Sequence, residues 1–354
     1  MKKTMAILLL MGSIAGFSAA QDLNGFANDF EAMLINVTRS VSPSLQMNAL
    51  SGDIIGDASI SRVVLALPAL GVSVSDGIAP IMKPGAYEWS LVSFPELIDS
   101  KLSSDKLMLD IIRMAETRLV PYPSIKAGIG FGLPKYWSVI VTGMALPNTF
   151  SETIAGMAGD TIKQMELTAG LFNLGFEARK TLLQDSRTTP ALSAGLMYSY
   201  GGFNMNIDNL SLSALMDGGI EIPGGTIDMS GKLGFSTAVH NIGFNVHVSK
   251  HLLFFTPYAK FSGIWQHSTT EGDIDVNVFS GTALNVPIQA SPEVVFSDFS
   301  SILTTGFELN LFSLVFNMNA AIDLARFGLD LANFDLAKMY GSGCAINTGF
   351  RIQF

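Results

Sequence analysis

The chain has 354 residues, of which 48% are hydrophobic and only 14% are charged, and its mean hydropathy is +0.38. Its net charge of −9 argues against binding nucleic acid, because phosphates select basic surfaces. Ordinary soluble domains carry about 25% charged residues, so this composition favours a membrane protein.

The first twenty residues have the features of an export signal. Lys2 and Lys3 precede an apolar run from Met5 to Phe17, and small residues follow at 18–20. Residues 1–20 are therefore predicted to be removed. The remaining chain contains no apolar stretch of the roughly 18–20 residues that a membrane-spanning helix needs. A closed β-barrel is the other structure that satisfies the backbone inside lipid.

Two amphipathic helices are predicted outside the strands. The first follows the signal, where apolar residues recur at three- and four-residue spacing between Phe26 and Val41 and Pro43 ends the pattern. The segment 21–60 is therefore read as a helical N-terminal region that could act as a plug. The second helix is predicted over 103–119, as an insertion within the barrel region.

Alternation with a period of two dominates from Ser124 to the C-terminus, and a weaker alternating run lies at 64–75. Runs of about ten residues place apolar side chains on one face and small polar ones on the other, as membrane-barrel strands do. The sequence predicts an all-β fold, a transmembrane antiparallel β-barrel of about 12–14 strands over 61–354. The strands are expected at 64–75, 123–133, 136–146, 164–178, 189–201, 203–215, 226–239, 241–250, 253–267, 272–280, 301–312, 313–325, 328–338 and 343–354.

Charged residues lie on the polar side of several of these strands. A charge facing lipid costs roughly 2–4 kcal/mol at mid-depth, so these side chains are expected to face the lumen. They could pair with one another, line a channel or hold the N-terminal helix. The candidates are Lys126, Lys232, Lys260, Glu308, Asp323 and Arg351.

Aromatic residues cluster near the predicted strand ends, which is typical of the girdles at the two membrane interfaces. Ordinary β propensity is the other explanation. The pairs are Tyr136 and Trp137, Tyr198 and Tyr200, and Tyr258 and Trp265.

No metal, cofactor or catalytic site is predicted. Cys344 is the single cysteine, which excludes an intramolecular disulfide and a cysteine metal cluster. The four histidines, at 240, 247, 251 and 267, lack the spacing of metal ligands, and no Gly-x-Ser-x-Gly elbow is present. The chain is not expected to be an enzyme.

The last strand carries a recognisable pattern. Phe350, Ile352 and Phe354 share one apolar face, and Arg351 and Gln353 lie on the other. The segment from Ala345 to Phe354 resembles the C-terminal assembly signal of bacterial outer-membrane β-barrel proteins. The resemblance implies outer-membrane localisation, contact with outer-membrane lipid and recognition by the barrel-assembly machinery.

A broader resemblance rests on the N-terminal helix and on two segments, Pro68 to Val74 and Pro123 to Pro134. With these features the chain is similar to uncharacterised outer-membrane barrels of Bacteroidetes and spirochaetes. It is also similar in arrangement to the long-chain fatty-acid transporter family, in which an N-terminal helical hatch plugs a 14-stranded barrel. This resemblance implies a hydrophobic small molecule as one candidate cargo, and no binding residue is carried over.

Two functions follow from the sequence. The first is a channel for passive uptake of small molecules, hydrophobic ones among them, partly closed by the N-terminal helix. The alternative is a structural or surface-interaction outer-membrane protein that transports nothing.

Overall fold

A computed structural model describes residues 55–60, 63–75, 120–145, 167–211, 220–222, 225–280, 284–324 and 344–354. The predicted signal at 1–20, the helices near 26–41 and 103–119, and the strand at 328–338 lie outside these residues. The described strands are β1 Val63–Ser75, β2 Val120–Leu133, β3 Trp137–Ala145, β4 Leu167–Leu183, β5 Ala191–Ser211, β6 Ile220–Ile222, β7 Gly225–Ser249, β8 Phe255–Ser280, β9 Leu284–Ala290, β10 Glu293–Leu311, β11 Leu314–Asp323 and β12 Cys344–Gln353.

The strands form one closed antiparallel barrel. Around the ring the order is β1, β2, β3, β4, β5, β7, β8, β10, β11 and β12, and β12 pairs with β1 from Val64–Gln353 to Val74–Cys344. The short strands β6 and β9 continue the lines of β5 and β10 along β7 and β8. The prediction of an all-β antiparallel barrel is confirmed.

The predicted number of strands is wrong, because the described barrel closes with ten. The predicted strands 226–239 and 241–250 are one strand, β7, and 253–267 and 272–280 are both parts of β8. Similarly, 189–201 and most of 203–215 form β5. Alternation continues across these strands without a turn, so segments of membrane-crossing length were counted twice. The stretch from β9 to the first half of β10 was missed.

The barrel is apolar outside and polar inside through most of its height. On β7, Ile242, Phe244 and Val246 are exposed, and the alternating Asn241 and Asn245 are buried. The same arrangement recurs on β12, where Ile346 and Phe350 face outward and Asn347 and Arg351 face inward. A soluble protein would bury the apolar set, so this exterior requires lipid as its surroundings.

The two ends of the barrel differ. Four tight connections, at 134–136, 184–190, 250–254 and 312–313, lie at the end where β1 begins and β12 finishes. The longer connections 76–119, 146–166 and 324–343 lie at the other end. Short periplasmic turns and longer outer loops are the rule in outer-membrane barrels, so the end with the tight turns is the periplasmic end.

Above the membrane, β5, β7, β8 and the β9–β10 line continue as an extension of the barrel wall. Its lower boundary is the outward-facing row Tyr200, His240, His267 and Ser297, whose members are paired across the four strands. Beyond this row the polarity reverses. The inner face becomes mainly apolar and the outer face polar or acidic, with Leu233, Phe235, Val239 and Ile274 buried and Lys232, Glu271, Asp273 and Asp275 exposed.

Among the aromatic residues predicted for the interfaces, Tyr136 and Trp137 are exposed at the periplasmic end, and Tyr198 and Trp265 are exposed just below the row that bounds the extension. Tyr258 is different, because it is 5% exposed and faces the interior. Because Tyr258 faces inward on β8, it does not belong to the aromatic girdle at the membrane interface.

Candidate functional site: the barrel interior

The structure places five of the six predicted lumenal charges in the barrel interior. Lys126, Lys260, Glu308, Asp323 and Arg351 are all at most 3% exposed.

Lys232 lies elsewhere. Its side chain is 68% exposed, and its Nζ lies 3.4 Å from Oδ1 of Asp208 on the outer face of the extension. The rule that charges avoid lipid does not apply there, because that part of β7 is above the membrane.

Glu308 is the centre of one interior charge cluster. It accepts hydrogen bonds from both terminal nitrogens of Arg351, the Nη2–Oε2 distance being 2.8 Å, and from Nδ2 of Asn317 at 3.2 Å. The hydroxyl of Tyr258 donates to Oδ1 of Asn317 at 3.0 Å. Buried charges are stable only when paired and hydrogen-bonded, and this bidentate pair satisfies that condition across β10, β11 and β12.

A second cluster surrounds Glu177 on β4. Nε of Arg179 lies 2.8 Å from Oε1, Nζ of Lys260 lies 3.4 Å from Oε2, and Nδ2 of Asn245 donates to Oε1 at 3.0 Å. Lys260 belongs to β8, three positions away around the ring, so this cluster reaches across the interior rather than along the wall.

The segment 55–60, which precedes β1, lies inside the barrel near the periplasmic end; it is called the plug below. It has no helical or strand structure. The helix predicted between Phe26 and Val41 lies outside the described residues, so that prediction remains untested. The plug backbone is bound by side chains of the wall, not by strand pairing. The Gly56 N–H donates to Glu308, the Ala58 N–H donates to Oγ of Ser249 at 2.9 Å, and Arg179 Nη1 donates to the Asp57 carbonyl at 3.0 Å.

The plug also packs against the wall through apolar contacts. Ile55 and Ile60 form a buried cluster with Val64 and Ile140. Gly56 packs closely against the ring of Tyr258, and a Cβ atom added there would sit 2.1 Å from Cε1 of that ring. Only glycine allows this approach, because Tyr258 is buried and its hydroxyl is bonded to Asn317.

The side chain of Asp57 binds residues at the turn 250–254 between β7 and β8. The contact between Asp57 and His251 is called the latch below. Oδ2 of Asp57 lies 3.1 Å from Nε2 of His251, and its Oδ1 accepts from the Ser249 hydroxyl at 3.2 Å and from the Ser59 N–H at 2.9 Å. Nδ1 of His251 is 3.0 Å from Oγ1 of Thr256, which fixes the ring.

These contacts shift the pKa values of both Asp57 and His251. The hydrogen bond to Asp57 raises the pKa of His251 above its ordinary value. Burial raises the pKa of Asp57, but the hydrogen bond and the charge of His251 outweigh it, so the net pKa is lowered. The latch is therefore an ion pair at mildly acidic pH.

The sequence missed Glu177 and Arg179, although one signal could have found them. They are two residues apart on a strand where Phe176 and Ala178 occupy the other face, which is the same pattern that identified Glu308. The plug and His251 carry no such signal, because their contacts join residues more than 120 positions apart.

Within the described ranges, no group of three or more histidine, cysteine or acidic side chains is arranged to hold a metal ion. In the same ranges no helix is long and apolar enough to cross a membrane.

The closed barrel with an apolar exterior and a charged interior makes the chain a bacterial outer-membrane β-barrel protein, as the sequence predicted. No protein-family model matches the chain. No curated protein matches it either.

Several solved outer-membrane structures are similar in outline. The Escherichia coli outer-membrane protease OmpT aligns over 83% of this chain and 95% of its own, with 9% identity and a TM-score of 0.37. The Ralstonia pickettii toluene transporter TbuX aligns over 85% and 93%, with 9% identity and a TM-score of 0.26. The transport unit of the E. coli autotransporter AIDA-I aligns over 89% and 98%, with 11% identity and a TM-score of 0.33. No activity is carried over from these proteins.

Proposed function

We propose that the chain is a gated passive channel for small polar solutes, closed at the periplasmic end by the plug. The observation that carries this proposal is the way the plug is bound. A segment that belonged permanently to the wall would pair with a strand, whereas the plug is bound through separate side-chain contacts that can be released one after another.

Within the described residues, six hydrogen bonds connect the plug to the wall. Besides the three backbone bonds already described to Glu308, Ser249 and Arg179, Thr181 donates to the Ala58 carbonyl, and Ser249 and His251 bind the Asp57 carboxylate. Each is worth about 1 kcal/mol net. Together they make the closed state favoured but reversible.

The size and lining of the interior favour small polar solutes as the cargo. Eight-stranded barrels are just filled by their side chains, and open water-filled pores need about 16 strands, so a ten-stranded barrel has a narrow lumen. In the membrane-spanning part, its wall is formed largely by buried Asn, Ser, Thr and charged side chains. The sequence-based suggestion of a hydrophobic cargo is therefore replaced by a polar one in this proposal. The proposal includes no catalytic role.

The test compares single-channel currents in planar bilayers for residues 21–354 and for the double variant Ser249→Ala with His251→Ala. The variant loses three plug contacts, about 3 kcal/mol, so its open-to-closed ratio should rise on the order of 100-fold. Lys250→Ala is the matched control. Lys250 lies in the same hairpin but binds Asp185 at 3.0 Å and contacts no plug residue in the described structure, so its variant should gate like the parent.

The alternative function, a structural or surface-interaction barrel, is favoured by a different observation. The interior ion pairs of Glu308 and Glu177 brace the wall, and the extension presents an acidic outer face above the membrane. If the parent, the double variant and the control are all folded and all silent, this alternative replaces the channel.

Assembly contacts are proposed for the seam between β12 and β1. Phe350 and Phe354 are 47% and 69% exposed on the outer surface, and the Phe354 N–H donates to the Val63 carbonyl at 3.0 Å. Together with Ile352, they form an apolar column that the barrel-assembly machinery can bind before closure and that lipid covers afterwards.

A further inference from the structure

One stretch of the inner wall has polar atoms that no side chain of the described residues satisfies. It consists of Ser193, Asn241, Asn245 and Gln266, all at most 1% exposed, and is called the polar column below. Its unpartnered atoms are Oγ of Ser193, the Oδ1 atoms of both asparagines, and both amide atoms of Gln266. Buried polar atoms normally have partners, and leaving one unpaired costs about 1–3 kcal/mol.

Register places these residues in one continuous line. Asn241 on β7 pairs directly with Gln266 on β8 and with Ser199 on β5. Asn245 lies four residues nearer the periplasmic end of β7, and Ser193 pairs with the residue two further on, His247. At about 3.4 Å per residue, the column extends roughly 20 Å along the inner wall and ends beside the plug.

The orientation of the two asparagines is fixed by other contacts. Nδ2 of Asn241 donates to Oγ of Ser199 at 3.0 Å, and Nδ2 of Asn245 donates to Glu177 at 3.0 Å. Their amide nitrogens are therefore occupied, and their oxygens are buried acceptors without a partner. Gly195, opposite Asn245, leaves room at this oxygen, because a Cβ there would lie 3.1 Å from Oδ1.

The available atoms define a ligand that donates more hydrogen bonds than it accepts. Three carboxamide oxygens accept, while Gln266 Nε2 and the Ser193 hydroxyl can donate. His247, in the same line, also has both ring nitrogens unpartnered. The charges beside the column, Glu177, Arg179 and Lys260, are paired with one another, so neither an anion nor a cation has a dedicated partner there. Hydroxyl groups on a neutral chain match this set.

We infer that the polar column binds neutral, hydroxyl-rich small molecules of the polyol or sugar class and is the selective part of the passage. This inference rests on the proposed function, because it names the solute that the gated lumen admits.

The test uses xylitol as the probe and the folded chain 21–354 in detergent. Saturation-transfer NMR should show saturable xylitol binding. Asn241→Leu combined with Gln266→Leu should weaken it at least about 10-fold, since each net hydrogen bond contributes about 3- to 10-fold. If that variant does not fold, the two alanine substitutions take its place.

The matched control is Asn319→Leu combined with Asn347→Leu. These residues are equally buried amides on β11 and β12, and they hydrogen-bond to each other at 3.0 Å. Their loss should leave xylitol affinity unchanged. Absence of saturable binding to the parent chain would mean that the column holds water only and would overturn the inference, as would equal weakening in both double variants.

Parallel current recordings separate the two proposals. If the chain conducts but neither binds xylitol nor shows reduced current with it, the gated channel is supported and the polyol site is overturned. If the folded chain binds xylitol through the column but never conducts, with or without the latch, the polyol site is supported and the channel is overturned.

Discussion

Replacing Glu308 by glutamine probes the charge cluster beneath the plug. The substitution preserves size but removes the negative charge that faces Arg351, a side chain only 2% exposed. Breaking a buried ion pair by removing one partner costs about 3–5 kcal/mol, because the remaining charge is left without compensation. Glutamine can still accept one hydrogen bond, so the lower end of this range is expected.

A double variant tests what causes the loss of stability in Glu308→Gln. If the loss comes from the uncompensated guanidinium, adding Arg351→Met to Glu308→Gln should recover at least half of it, because removing both charges is often close to neutral. Glu293→Gln is the control, an exposed carboxylate on the same strand that should cost less than about 0.5 kcal/mol.

The assay is urea unfolding of the vesicle-inserted barrel, followed by tryptophan fluorescence and by the shift between folded and unfolded bands on gels. A Glu308→Gln variant as stable as Glu293→Gln would refute the reasoning about the buried pair. So would a double variant less stable than Glu308→Gln alone.

Three further predictions concern the plug and the seam. Because the pKa of His251 is raised, the latch is fully formed below the ordinary histidine pKa of about 6.5 and is lost as pH rises through the raised pKa. Because the pKa of Asp57 is lowered, the latch is also preserved above about pH 4 and is lost only as pH falls further. Channel opening measured against pH should therefore be lowest between about pH 4 and 6.5, and a flat profile in the parent, or the same alkaline rise in His251→Ala, would contradict the latch. Gly56→Val should increase conductance several-fold in planar bilayers, because its side chain cannot fit against Tyr258; unchanged currents would show that the plug does not close the lumen. Phe354→Ala should reduce the amount of folded barrel in outer-membrane fractions, whereas normal levels on gels would argue against its role in assembly.

The fold could be predicted because lipid imposes a pattern that the sequence records directly. Alternation on β12 and β11 separates lipid-facing from interior residues, and the same rule placed Lys126 and Arg351 inside. The rule failed for Lys232, because it assumes that every strand residue is at membrane depth. On β7 the strand continues into the extension, where polar residues face outward.

The strand count failed for the same physical reason. Backbone pairing in a sheet does not stop at the membrane surface, so β7 and β8 run 25 and 26 residues without a turn. A length expected from bilayer thickness therefore divides each of them into two.

The plug could not be derived from sequence patterns. Residues 55–60 show neither helical nor alternating spacing, and their position depends on partners at Arg179, Ser249 and Glu308, which only the closed barrel brings together. The polar column required the structure for a related reason, since many serines and asparagines face inward but few lack partners.

The most direct test of the account compares single-channel conductance of three chains: 21–354, a chain lacking 21–54, and a chain lacking 21–60. The first truncation retains the plug and the second removes it, so the account predicts a several-fold increase in conductance between the two truncated chains. Equal conductance for both truncated chains, with each folded on gels, would contradict the claim that residues 55–60 close the lumen.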